Sequence, residues 1–179
     1  MNQRKVANAA THQSSQHLLR LLPNAVIFVM TILVKTDLPI PFIDIVNPLL
    51  PIMAIFFFTL WQPQFVSVYM VFACGVMYDG LQSSTLMGTY ALLFLLFRLS
   101  VGRLWWRTGF IERLLPNWGL FILLALGFFA VEAAILMLQD EGNIIMSALI
   151  LRNLLTLALY PLMHYALSFM IVAIQSRAA

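Results

Sequence analysis

Six long apolar stretches run along this chain of 179 residues, and the basic residues gather at every second break between them. Crossing a bilayer takes about 20 mostly apolar residues, so six crossings would use most of the chain and leave only short connections. Composition agrees: 62% of residues are hydrophobic and 9% charged, where a soluble domain carries about 25% charged residues. The stretches fall at 18–36, 45–62, 64–82, 85–104, 117–138 and 145–173. In lipid the backbone must satisfy its own hydrogen bonds. The runs Met53–Leu60 and Tyr90–Phe97 lack the alternation of a membrane β-barrel strand. The expected fold is therefore an all-α membrane protein of six transmembrane helices. Pro48 and Pro51 open the second stretch, where the first helical turn tolerates a missing N–H.

Orientation follows from charge. Arg4, Lys5 and Arg20 precede or open the first stretch, Arg98, Arg103, Arg107 and Arg113 lie in and beside the connection between the fourth and fifth, and Arg177 follows the sixth. With an even number of spans all of these share one side, which the positive-inside rule makes cytoplasmic. Lys35 and Arg152 stand apart from this group. Asp37, Asp44, Asp140 and Glu141 map to the opposite side, and Trp61, Trp105, Trp106 and Trp118 to the cytoplasmic boundary, where interfacial tryptophans belong. The expected organisation is a cytoplasmic tail over 1–17, a six-helix domain over 18–175 and a short cytoplasmic end at 176–179, N-in and C-in. The first stretch is too long for a cleaved signal and no small-residue cleavage site follows it. The lone Cys74 reads as a packing residue. The net charge of +3 is accounted for by topology, so no nucleic-acid partner is expected.

The chain carries no phosphate-binding loop, no H-E-x-x-H pair and no C-x-x-C motif. Asp79, Glu132, Arg152 and His164 are the reactive groups at membrane depth; His12 and His17 fall in the polar tail. No metal-ligand cluster assembles locally, and neither cofactor nor catalysis is expected. Glu132 lies six residues before the end of the fifth span, and Arg152 seven residues into the sixth. Both sit about 10 Å deep from the outer face. A charge in lipid costs at least about 2.5 kcal/mol on insertion scales, so the two should pair. Such a pair serves either as a clasp between helices, the favoured reading, or as part of a proton or substrate relay. Asp79 is an alternative partner for Arg152.

Arg152, Asn153, Thr156, Tyr160 and His164 recur at helical spacing and predict a polar stripe turned inward. Pro161 removes one hydrogen bond within that span. Ala73, Gly75, Gly88, Ala91, Gly127, Ala130 and Ala134 suit close helix crossings. The basic 103–113 connection fits either lipid headgroups or a solvated loop. The apolar 36–47 connection fits the interface or a dock for another membrane protein.

Asn47-Pro48 at the opening of span two, Pro63 fifteen residues on, Gly75-x-x-x-Asp79, and Leu86-Met87-Gly88 with Ala91 together resemble the rod shape-determining MreD family. Six spans, the chain length and Pro161 in the last span fit as well. Asn47 stands where the family often carries arginine. The resemblance implies a non-catalytic scaffold of the bacterial inner membrane that binds the membrane helix of MreC. It would work beside the elongation transglycosylase and transpeptidase pair, and help couple lateral peptidoglycan synthesis to cell shape. It further implies a fold like the substrate-binding subunits of energy-coupling-factor transporters, and thereby a rival role as a vitamin-binding subunit. Pro48, Pro63, Gly75, Asp79, Gly88, Glu132, Arg152, Thr156 and Pro161 are the structural or interaction candidates.

Overall fold

A computed structural model describes residues 21–34, 48–82, 88–107, 117–138 and 142–178. Among these residues there are six helices and no strand. They are α1 (Leu21–Leu33), α2 (Leu50–Trp61), α3 (Val68–Gln82), α4 (Thr89–Arg107), α5 (Asn117–Leu138) and α6 (Gly142–Ala178). The expected tail with His12 and His17, the 36–47 connection and the 108–116 connection with Arg113 lie outside the described residues. So do Lys35, Leu86, Met87, Asp140 and Glu141, and the side chains of Trp105, Trp106, Arg107 and Arg177.

Prolines set the bounds that differ from the expected spans. Pro51 occupies the first turn of α2, so the helix begins at Leu50 instead of 45. Pro63 opens the turn after Trp61, which delays α3 to Val68. α2 is thus 12 residues long, about 18 Å at 1.5 Å per residue, whereas α6 has 37 residues and runs about 55 Å. Two helical segments, Trp118–Leu138 and Ser147–Ala173, are long and apolar enough to cross a membrane by length and composition. α1, α2 and α3 are apolar but shorter.

α2 forms the axis of the bundle. Every residue from Pro51 to Leu60 is buried, as a helix apolar on all sides requires. α4 and α6 pack directly on it. Phe56 is the hub, with ring centroids 6.3 Å from Phe97 of α4, 5.1 Å from Phe121 of α5 and 5.6 Å from Tyr160 of α6. Each such aromatic pair is worth about 0.5–1.5 kcal/mol beyond its burial.

α1 runs parallel to α3. The Asn24 amide donates to the Phe65 carbonyl at 3.0 Å and accepts from the Ser67 N–H at 3.2 Å. Seven residues further along each helix, Thr31 meets the Cys74 thiol. Arg98 of α4 donates to the Val66 carbonyl at 2.6 Å. The turn between α2 and α3 is therefore pinned from two other helices.

The closest crossing is α3 on α4. A Cβ placed on Gly75 would press on the Ala91 Cα, lying 2.8 Å from the Ala91 nitrogen and 2.9 Å from the Tyr90 carbonyl oxygen. Only a hydrogen fits there. The other small residues expected at crossings behave differently: Ala73, Gly127, Ala130 and Ala134 face outward. On α5 the inward side is taken by Phe121, Ala125, Phe128, Phe129 and Glu132, which leaves the small residues on the opposite face.

Candidate functional site

The N-terminus of α4 has backbone donors to satisfy, because the first turn of any helix lacks intrahelical acceptors. A serine or aspartate normally supplies one from the N-cap. Here the capping position is Gly88, whose carbonyl accepts from Leu92 N–H at 3.0 Å and which has no side chain to offer. Gly88 also adopts φ +101°, a conformation that side-chain-bearing residues rarely take. The acceptor comes instead from the neighbouring helix. Asp79 Oδ2 accepts from the Gly88 N–H at 3.0 Å and the Ala91 N–H at 3.2 Å, and Oδ1 from the Tyr90 N–H at 2.9 Å. The carboxylate, 2% exposed, also sits at the positive end of the α4 dipole. Gly75, one turn earlier on the same face as Asp79, lets α4 approach closely enough for this reach. The Gly75-x-x-x-Asp79 and Gly88 elements are two halves of one latch.

The latch leads into a second polar cluster through Tyr90. The Tyr90 hydroxyl donates to Glu132 Oε1 on α5, and Arg152 on α6 donates to the same oxygen and forms an ion pair with it. Arg152 also donates to the Tyr90 hydroxyl at 3.1 Å, so the three side chains close a triangle. Asp79 and Arg152, an alternative pairing at the level of sequence, are instead engaged separately.

One turn further along α6, Thr156 donates to the Arg152 carbonyl at 2.7 Å and accepts from the Leu49 N–H at 3.1 Å. That bond holds the start of α2, where Pro48 accepts from the Leu50 N–H at 2.8 Å. The start of α2, the end of α3, the start of α4, the C-terminal part of α5 and the N-terminal part of α6 are thus joined at one end of the bundle.

The remaining candidates lie elsewhere. Pro63 shapes the α2–α3 turn at the opposite end. Pro161 sits within α6, which continues through it as helix. His164 packs edge-on against Phe57 at 5.2 Å, with the Tyr160 hydroxyl 3.5 Å from Nδ1. Among the described residues no group of three metal-ligating side chains comes together.

Sequence reasoning missed Tyr90, Leu49 and Tyr78. Tyr78 is buried with its ring 4.5 Å from that of Tyr90. For Tyr90, a tyrosine inside an apolar segment was the available signal, since a buried hydroxyl seeks a partner.

Chemically the cluster is suited to holding helices together. Asp79 is linked to Tyr90 only through backbone amides, which donate a hydrogen bond but pass no proton onward. Arg152 remains protonated at any accessible pH. Asp79 is engaged by a helix terminus, and Glu132 and Arg152 by each other and Tyr90.

A family model described as rod shape-determining protein MreD matches residues 15–170, most of the chain. No curated protein and no solved structure gives a significant match.

Proposed function

The chain belongs to the MreD family of rod shape-determining membrane proteins, and from that premise we propose that it is a non-catalytic scaffold of wall elongation. It crosses the bacterial inner membrane six times with both termini in the cytoplasm. It binds the MreC membrane helix and positions that protein near the enzymes of lateral peptidoglycan synthesis. The observation that carries the non-catalytic reading is the clasp. Asp79 caps α4, and Glu132 and Arg152 close on each other, so each is engaged in joining helices.

Co-purification tests the reading. MreC from the same organism is expected to stay with this chain in mild detergent, and depletion of the chain should round a rod-shaped cell. Loss of shape control without any MreC association removes the scaffold mechanism.

A substrate-binding subunit of a vitamin-type transporter is the rival. Its support is the set of polar groups gathered at one end of the bundle, with Asp79, Tyr90 and Glu132 buried and Arg152 partly buried. Thermal stabilisation by a vitamin-sized ligand, together with normal cell shape on depletion, would favour that role.

A further inference from the structure

The outward side of α4 and α5 carries a groove that the bundle itself leaves open. Its volume is about 260 Å³, with Leu93, Leu96 and Ser100 of α4 on one wall and Leu123, Gly127 and Val131 of α5 on the other. A side-chain carbon built on Gly127 would meet nothing within 4 Å. Small groups, Ser100 on one wall and Gly127 on the other, thus leave room within the groove.

A cation stands at one end of this groove. Arg103 is exposed and follows Leu96 by one heptad, which returns it to the same flank of the helix within about 20°. Among the described residues it takes part in no ion pair. Arg98, by contrast, is committed to the Val66 carbonyl.

Dimensions point the same way. Ten residues separate Leu93 from Arg103, a rise of about 15 Å. That equals half of a hydrocarbon core of about 30 Å, the depth of one leaflet. The cytoplasmic leaflet is the anionic one, and a guanidinium matches a phosphate in both charge and geometry.

We propose that the α4–α5 groove binds one anionic phospholipid of the cytoplasmic leaflet, with an acyl chain between Ser100 and Gly127 and the phosphate on Arg103. This rests on the multi-pass, N-in reading above, which puts the Arg103 end of α4 at the cytoplasmic surface. A partner's transmembrane helix would also fill an apolar groove, but it has no need of a cation at the inner end.

The test uses the full chain in mild detergent, presented with mixed micelles containing phosphatidylglycerol or phosphatidylcholine, and separately with soluble glycerol phosphate. Retained lipid is counted by native mass spectrometry. The wild-type chain should hold one phosphatidylglycerol with roughly fivefold preference, the factor that corresponds to about 1 kcal/mol for one arginine at an anionic surface. Arg103→Gln should erase the preference while lipid is still retained. Gly127→Leu should lower retention of both lipids and leave the melting temperature of the lipid-free protein unchanged. Three results overturn the proposal. One is Arg103→Gln keeping the preference. Another is glycerol phosphate competing as well as the lipid, which makes this a soluble-anion site. The third is Gly127→Leu expelling a protein partner with lipid retention intact, which gives the groove to a helix. Failure of MreC to associate with the wild-type chain would leave these lipid outcomes unaffected, so the two readings fail separately.

Discussion

Gly75 and Gly80 stand on the same helix and differ only in what lies opposite them. At Gly75 an added methyl group meets α4 backbone atoms at 2.8 and 2.9 Å, whereas at Gly80 nothing lies within 4 Å. Backbone cannot rotate aside as a side chain does, so Gly75→Ala must push α3 and α4 apart. It then also lengthens the three hydrogen bonds to Asp79. Overpacking of this kind costs about 1–3 kcal/mol, while Gly80→Ala should gain about 0.5–1 kcal/mol through helix propensity. Melting in detergent is expected to drop for the first and hold or rise for the second. Equal behaviour of the two would remove the close crossing. Gly75, Asp79 and Gly88 were legible as a pattern in the sequence, as was a close helix approach at Gly75 beside the Asp79 carboxylate, but the capping of α4 by Asp79 was not. The partners of Asp79 are main-chain N–H groups, which leave no trace in residue identity.

Helices α5 and α6 meet through Glu132 and Arg152, and here an interaction between elements was readable. Two opposite charges at matching depth in apolar spans, joined by a short connection, have few alternatives to each other. The third member, Tyr90, lies 42 residues from Glu132 on a helix whose neighbours the sequence did not specify. Removing one charge leaves the other buried beside Tyr90, at a cost of about 3–5 kcal/mol, while replacing both by apolar groups costs far less. Glu132→Leu and Arg152→Met should therefore each melt well below the wild type, and the double substitution should melt above the sum of the two losses. A coupling of at least about 3 kcal/mol, the size of one single loss, is expected for the pair. Strictly additive losses would mean that the two helices do not depend on this pair. The small residues of α5 show the reverse situation. Composition marked them for helix contact, yet the aromatic residues on the other side of α5 decide which face turns inward, and that competition is invisible to residue-by-residue reading.

At the scale of the molecule, the two polar ends decide how the helices alternate. Asp79, Tyr90, Glu132, Arg152 and Leu49 meet at one end, while Asn24, Phe65, Ser67 and Arg98 meet toward the other. Successive helices must therefore reverse direction, as the distribution of arginines along the sequence requires. α2, at 12 residues, is too short to cross a bilayer by itself, which needs about 20. In the six-span arrangement proposed above, it reaches membrane depth by packing against the longer α4 and α6. Surface labelling of single cysteines checks the resulting topology. Cys74 is the only native cysteine and is buried, so Cys74→Ala gives a silent background with little change in packing. Gln64→Cys, in the exposed α2–α3 turn, and Arg177→Cys should react with an impermeant maleimide only after the cytoplasmic face is opened. Ser84→Cys and Glu141→Cys should react in intact spheroplasts. Reaction of Gln64→Cys from the outer side would require α2 and α3 to return without crossing. The chain would then have four spans, and the Asp79 latch would be a feature of a re-entrant hairpin.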